Sequence, residues 1–448
     1  MYLADPSARK RVAIVGGGWA GCAAAVELVK QDCSITLFES TRTLGGRARG
    51  VQLDSHMLDN GQHILLGAYR DSLALMHTVG IDTDEVLLKL PLQMCYPGGD
   101  DGMTFIAPRL PSPLHMLIAL LRAKGLSKDD KLALARFSTT ARWMDWRMHN
   151  DCSVSELLER YDQTERLTKL MWRPLCLAAL NTPPERASAQ VFLNVLRDSL
   201  GARRAASDML LPRVNLTELF PQHAARYIEQ YQGNVELGAT VEKIARTDKG
   251  WLVTVAGNAS AREFDSVIVT TPATQTARLL DGVIDTTLLQ GFTYEPITTC
   301  YLRYDSQLRL PRAMYALVDE PTNGDWGQFV FDRGQLDPTQ AGILSVVISA
   351  SNEAIELDKH ELTSLIAAQL AKALHMPNLA QPLWSKVISE KRATFSCTPA
   401  LQRPTNTTEL TGLILAGDYT AGDYPATLEG AVRSGFAAVG ALLNPDDE

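Results

Sequence analysis

Gly16, Gly18 and Gly21 stand in the spacing G-x-G-x-x-G, and Glu39 follows eighteen residues after the last of them. Glycines at those steps permit a tight turn, close approach of backbone to a diphosphate, and tight packing of the next helix on its strand. A helix N-terminus at Trp19 and Ala20 offers backbone amides to phosphates, and the Glu39 carboxylate, with Ser40 beside it, can accept hydrogen bonds from a ribose. A second glycine pair, Gly45-Gly46, precedes Arg47, whose guanidinium suits a pyrophosphate. Near the other end, Ala416-Gly417-Asp418 can set a carboxylate beside a polyhydroxyl chain. Thr427-Leu428 then opens a helix whose amides can face an electron-rich ring edge. A ribityl chain and an anionic ring together indicate a flavin, so the dinucleotide expected here is FAD.

These side chains need elements to hold them. Val12 to Val15 reads as a short apolar strand, Cys22 to about Lys30 as an Ala-rich helix, and Ser34 to Phe38 as the strand that delivers Glu39. A mostly helical stretch follows, with Ser127 an expected N-cap of a helix reaching about Met148, and helical patterns at 154–161, 163–170 and 190–200. From residue 234 the pattern alternates like strands, and 264–272 reads as a buried strand. Strand candidates recur at 298–304, 328–331 and 343–350, a helix at 357–374, then a strand at 413–418 and a small-residue helix at 428–443. The expected fold class is α/β: a three-layer Rossmann-type dinucleotide domain interleaved in sequence, with a mixed sheet plus helical substrate domain. Its pieces would be 1–75, 205–285 and 400–448, and the substrate domain 76–204 and 286–399.

Composition bounds the rest. The 448 residues carry a net charge of −8, which gives no general attraction to nucleic acid. Seven cysteines are scattered without a C-x-x-C pair, so neither a disulfide framework nor a zinc site is indicated, and no metal is expected. The polar start has no apolar core of a secretory signal, and no run suffices to span a bilayer, so a cytoplasmic protein is expected. The segment 108–124 is an apolar run flanked by cations, which could rest on the inner membrane surface as a peripheral contact.

The glycine motifs, Glu39, Gly45-Gly46-Arg47 and the terminal Gly417-Asp418 with Glu429-Gly-Ala-Val-Arg-Ser-Gly435 resemble the FAD-dependent amine oxidases and phytoene desaturases. That resemblance implies a backbone contact of Val241 with the adenine, and it runs Gly61, Gln62 and His63 past the isoalloxazine. Four further segments resemble one family within it, the bacterial hydroxysqualene dehydroxylases: 58–69 with Asp59-Asn-Gly-Gln-His63, 172–183 with Pro174-Leu-Cys-Leu-Ala-Ala-Leu-Asn181, 210–216, and 393–399. The resemblance implies reductive removal of the hydroxyl of hydroxysqualene to give squalene for hopanoid synthesis, with a hydroxysqualene synthase as an upstream partner.

Such a reaction needs a proton near the flavin. His63 is the first candidate donor, since its ordinary pKa of about 6.5 suits acid work near neutrality. A role restricted to hydrogen-bonding the flavin or backbone is the competing reading. Tyr424 is the second candidate. Asp59 is expected to order the turn to Gly61 as an Asx-turn. Trp143, Met144, Trp146, Trp172 and Leu175 are candidates for an apolar substrate tunnel. Other functions left open are a carotenoid-type desaturase, an amine oxidase, and a non-catalytic flavin-binding isoprenoid escort.

Overall fold

The computed structural model describes residues 9–98, 102–258 and 260–444; most of the polar start read above, residues 1–8, lies outside them. Five strands form a parallel sheet in the order Asn234–Leu237, Ser34–Glu39, Arg11–Val15, Ser266–Val269, Leu413–Leu415. Its central strands are nearly continuous apolar runs because both faces are covered. On one face lie the helices Trp19–Lys30, Pro221–Gln230 and Leu428–Leu443. On the other lies an antiparallel meander of Val241–Thr247, Gly250–Val255 and Arg262–Phe264, which closes a core of Phe38, Ile244, Trp251 and Val267.

Small residues set how close the two outer helices approach. A Cβ on Gly435 would lie 2.6 Å from the Ala20 carbonyl oxygen, so only glycine lets helix Leu428–Leu443 press against helix Trp19–Lys30. This contact brings the middle of the last helix beside the start of the helix that follows the first glycine loop.

A second sheet is antiparallel, in the order Met314–Ala316, Phe329–Asp332, Ile343–Ser349, Tyr294–Arg303, Trp384–Phe395. Helix Lys359–Ala373 covers one face through Ile366 and Leu370 against Val330 and Val346. The opposite face joins a helical core in which Trp172 packs on Phe137 at 4.7 Å and on Phe192 at 6.3 Å. The helix expected to reach Met148 is Lys128–Trp143, opened by a capping box of Ser127 and Asp130 and stopped before the left-handed residues Asp145 and Trp146. The stretch expected to alternate from residue 234 through 244 divides at Gly238, whose φ of +69° turns the chain out of the parallel sheet and into the meander.

Candidate flavin and substrate site

The first glycine loop is built by exclusion. Gly16 has a φ of +116°, and a Cβ on Gly21 would sit 2.0 Å from the Gly16 carbonyl oxygen, so the helix packs directly on the turn. Gly18 differs: a Cβ there would meet only the Gly46 Cα, at 4.0 Å, so its open side faces free space. Gly18 is also the N-cap of helix Trp19–Lys30 and supplies no capping side chain. With no capping side chain and open space at Gly18, the first amides of this helix are available to an anion. Trp19 and Ala20 offer only backbone there, because the Trp19 ring packs on Phe220 at 4.9 Å inside the core.

Glu39 ends its strand as a buried carboxylate. Its Oε2 accepts from the Gly17 amide at 2.8 Å, and its Oε1 accepts from the Thr41 amide at 2.8 Å and from the Ser40 hydroxyl at 3.2 Å. Those bonds fix the acid at the mouth of the glycine loop. The Ala239 amide donates to the Glu39 carbonyl at 2.8 Å, so the chain leading to Val241 passes beside it.

The two glycine loops touch. The Gly45 amide donates to the Gly17 carbonyl at 2.8 Å. Arg47 then reaches across the molecule: Nη2 pairs with Asp418 Oδ2 at 2.6 Å and Nη1 donates to the Ala393 carbonyl at 2.6 Å. Burial opposes the Arg47 charge, and Asp418, with Glu390 and Tyr294, more than offsets it, leaving the guanidinium above its ordinary pKa. Residues expected at the pyrophosphate and at the ribityl chain thus meet at one point. Thr427 caps the last helix by accepting from the Gly430 amide at 3.0 Å, which leaves the amides of Leu428 and Glu429 at its open end.

Segment Asp59–His63 follows the hairpin of Gly50–Leu53 and His56–Asp59. The expected Asx-turn at Asp59 is not formed. Asp59 Oδ1 instead accepts from the Leu216 amide at 2.7 Å, and Oδ2 lies 3.8 Å from Arg333 Nη2, with both side chains almost wholly buried. Burial raises the Asp59 pKa to about 6, against the opposing pull of Arg333 and of the Leu216 amide. Arg333 Nη1 donates to Gln62 Oε1 at 2.7 Å and Nε donates to Gln340 Oε1 at 2.7 Å, while the Ser345 hydroxyl donates to Gln62 at 3.2 Å. The Gln62 side chain therefore ties the loop to the antiparallel sheet, leaving backbone for any cofactor contact. Gly61 lies over Thr299, whose buried hydroxyl finds no partner among the described residues and would be 3.6 Å from a Cβ on Gly61.

His63 Nδ1 is 2.8 Å from the Gly61 carbonyl oxygen, which assigns the ring proton to Nδ1 and leaves Nε2 an acceptor. Burial holds the His63 pKa below its ordinary value, and Arg47 adds to that. Tyr424 donates its hydroxyl proton to Asp198 Oδ2 at 2.9 Å, Arg433 lies over its ring at 4.1 Å, and burial pushes its pKa up. Neither geometry presents a free acidic proton.

Helix Arg173–Leu180 and its cap Asn181 dock on the second sheet. The Asn181 amide donates to the Glu295 carbonyl at 3.1 Å and to Thr394 Oγ1 at 3.0 Å, and Thr182 Oγ1 accepts from the Cys397 amide at 2.9 Å. Segments 172–183 and 393–399 are thus in contact, and Arg47 holds the second of them at Ala393. Trp172 and Trp146 are core residues; Trp143 is 86% exposed and lines no interior tunnel. Half-buried apolar side chains on that core, Ile64, Leu175, Ala179, Ile297, Leu401 and Ala426, flank these segments. Arg333, Gln340, Ser345 and Tyr301, whose hydroxyl donates to the Asp59 carbonyl at 2.9 Å, escaped sequence reading because they lie 240 or more residues from Asp59.

An uncapped helix end, an open Gly18, a buried carboxylate where a ribose is expected and the Arg47–Asp418 pair all fit FAD. The model for flavin containing amine oxidoreductases matches residues 19–443. The chain belongs to that family. FAD is its cofactor, and it is an oxidoreductase. Among curated relatives, it is 25% identical to a hydroxysqualene dehydroxylase of Sinorhizobium fredii over 97% of this chain and 99% of that one. It is 26% identical to one of Rhodopseudomonas palustris over 97% and 98%. A probable zeta-carotene desaturase of Synechococcus elongatus is 23% identical over 97% and 98%. Among solved structures, an oxidoreductase from Methanosarcina mazei superposes with a TM-score of 0.73 at 14% identity, covering 96% of this chain and 100% of that one. Cyclohexylamine oxidase from Brevibacterium oxydans gives a TM-score of 0.69 at 15% identity, covering 98% and 100%. At those identities the structures speak to the fold alone.

Proposed function

We propose that this flavoprotein reductively removes the hydroxyl of hydroxysqualene to give squalene. The observation that carries the reading is the meeting, around Arg47, of the segments that resemble hydroxysqualene dehydroxylases, together with end-to-end similarity to proteins of that name. In the reaction a C–O bond breaks, a C–H bond forms at an allylic carbon, and the oxygen leaves as water. Bound in its reduced form, FAD supplies one hydride and one proton, which balances that change.

The chain's own residues then bind, orient and exclude water. Glu39, the uncapped helix at Gly18 and the Arg47–Asp418 pair hold the dinucleotide. The Asp59–Arg333–Gln62 network fixes the loop that carries His63. His63, neutral at neutral pH and bonded to Gly61, serves to shape that loop. Half-buried Ile64, Leu175, Ala179 and Ile297 offer apolar surface to a C30 chain. The same reading includes an upstream enzyme that makes the allylic alcohol, and contact with a lipid phase that stores it.

A carotenoid-type desaturase is the second reading, favoured by the full-length similarity to a zeta-carotene desaturase. Incubation of the purified protein under anaerobic conditions with hydroxysqualene, with the flavin reduced or oxidised, separates the two. Squalene from the reduced enzyme supports the proposal. Dehydrogenated products from the oxidised enzyme support the desaturase.

A further inference from the structure

Helices Leu114–Arg122 and Lys128–Trp143 follow one another in the chain, joined by residues 123–127. Lys131 Nζ donates to the Leu121 carbonyl at 3.0 Å at one end. At the other end Arg142 is among the cations that, after burial and Arg204, depress the pKa of His115. One face of the first helix is interior: His115 and Ala119 are buried, and Met116 and Leu120 pack on the same apolar cluster as Ile64 and Leu175.

The outer face is apolar too. Leu114, Leu117 and Leu121 follow a spacing of three and four residues, so they form one stripe. Leu132 and Trp143 are eleven residues apart, about three turns, and share a face of the second helix. All five are half or more exposed, with Leu121 at 65%. They are five of the ten large hydrophobic side chains that are exposed among the described residues, gathered within thirty positions. Scattered exposure needs no explanation, but concentration of this kind marks a contact surface.

Charge selects the partner. Arg122, Lys124, Lys128, Arg136 and Arg142 are exposed around the stripe. None has a carboxylate within ion-pair distance among the described residues. Their acidic neighbours on the same elements are Asp129 and Asp130, and Asp130 is tied to Ser127 and Thr164. The chain as a whole carries −8, so attraction to an anionic surface needs a local cluster of cations such as this one. No helix among the described residues is long and apolar enough to cross a membrane.

We propose that the helix pair of residues 114–143 lies in the plane of an anionic lipid bilayer, with Leu114, Leu117, Leu121, Leu132 and Trp143 in the headgroup–acyl boundary and the cations at phosphate level. An amphipathic pair of this kind binds through apolar area and electrostatic attraction together. The inference rests on an isoprenoid substrate only for its purpose; docking itself involves the bilayer alone.

The test is sedimentation of the FAD-loaded protein with vesicles of phosphatidylcholine alone and of phosphatidylcholine mixed with phosphatidylglycerol. Binding is expected to the mixed vesicles, weaker at high salt, and reduced about tenfold or more in Leu117→Asp/Leu121→Asp and in Trp143→Ser. Flavin absorbance verifies that each variant is folded. A protein that stays in solution with both vesicle types overturns the proposal, as does binding that the substitutions leave unchanged. A dimer that Leu121→Asp converts to monomer, without vesicle binding, assigns the stripe to a second copy and overturns it too. Turnover of detergent-dispersed hydroxysqualene keeps the two readings apart. Vesicle docking without turnover removes the proposed reaction and leaves the docking; turnover without docking does the reverse.

Discussion

Asp59→Asn removes a charge that the fold buries, and its effect can be followed with pH. The side chain keeps its shape, and an amide oxygen can still accept from the Leu216 amide as Asp59 Oδ1 does. In the native protein the Asp59 pKa rises from 3.8 to about 6. Between those values the folded state binds more protons than the unfolded state, so stability falls as pH rises through the window. Above pH 6 the buried carboxylate is ionised and the whole penalty is present, about 3 kcal/mol at 1.36 kcal/mol per unit. Below about pH 4 it vanishes. The Asn variant carries no such proton, so its stability relative to the native chain must climb by about 3 kcal/mol from acid to neutral pH. Arg333, left without its counter-charge, costs the variant a constant amount, because a guanidinium stays charged throughout. The slope of the difference therefore reports Asp59 alone. For 448 residues the entropy of unfolding makes 1 kcal/mol worth about 1 °C, so the two melting curves, followed by flavin fluorescence, should shift relative to one another by about 3 °C. Parallel curves from pH 4 to 7 would refute the reasoning.

Four other outcomes follow from the same geometry. Gly21→Ala forces a Cβ to within 2.0 Å of the Gly16 carbonyl oxygen and should yield protein that melts early or fails to fold, whereas Gly18→Ala, with open space around it, should melt normally as apoprotein and lose FAD affinity; calorimetry and flavin titration separate the two. Asp418→Asn removes the counter-charge of Arg47 and should weaken FAD binding about tenfold or more, read by fluorescence titration. His63→Asn should leave the pH profile of turnover above pH 7 without a lost inflection, since burial holds the His63 pKa below its ordinary value. Tyr424→Phe removes a hydrogen bond to Asp198 and should cost about 1 kcal/mol of stability while turnover is retained within a few-fold.

The parallel sheet was legible because its strands are buried on both faces and therefore read as plain apolar runs, Val12–Val15 and Ser266–Val269 among them. The twelve-residue strand Trp384–Phe395 was not legible. It is the outer strand of its sheet, half-exposed along most of its length, and Lys386, Glu390, Lys391 and Arg392 break the alternation that a strand facing water would show. The candidate cofactor residues could be picked out singly, since glycine spacing and an acid at a strand end are local features. Their contacts could not: the Arg47–Asp418 pair joins residues 371 positions apart, and the Asp59–Arg333 pair spans a comparable separation. Asp59 was misread as a turn former because that role is the local one. Sequence alone carries no trace of the buried arginine that Asp59 faces.

The most direct test of the account is a single anaerobic turnover. The purified protein is reduced, mixed with hydroxysqualene, and followed for flavin reoxidation by absorbance and for lipid product by mass spectrometry. The account predicts one squalene formed for each flavin reoxidised, and none from enzyme left oxidised. Flavin that stays reduced in the presence of hydroxysqualene, or a dehydrogenated product from the oxidised enzyme, would contradict it.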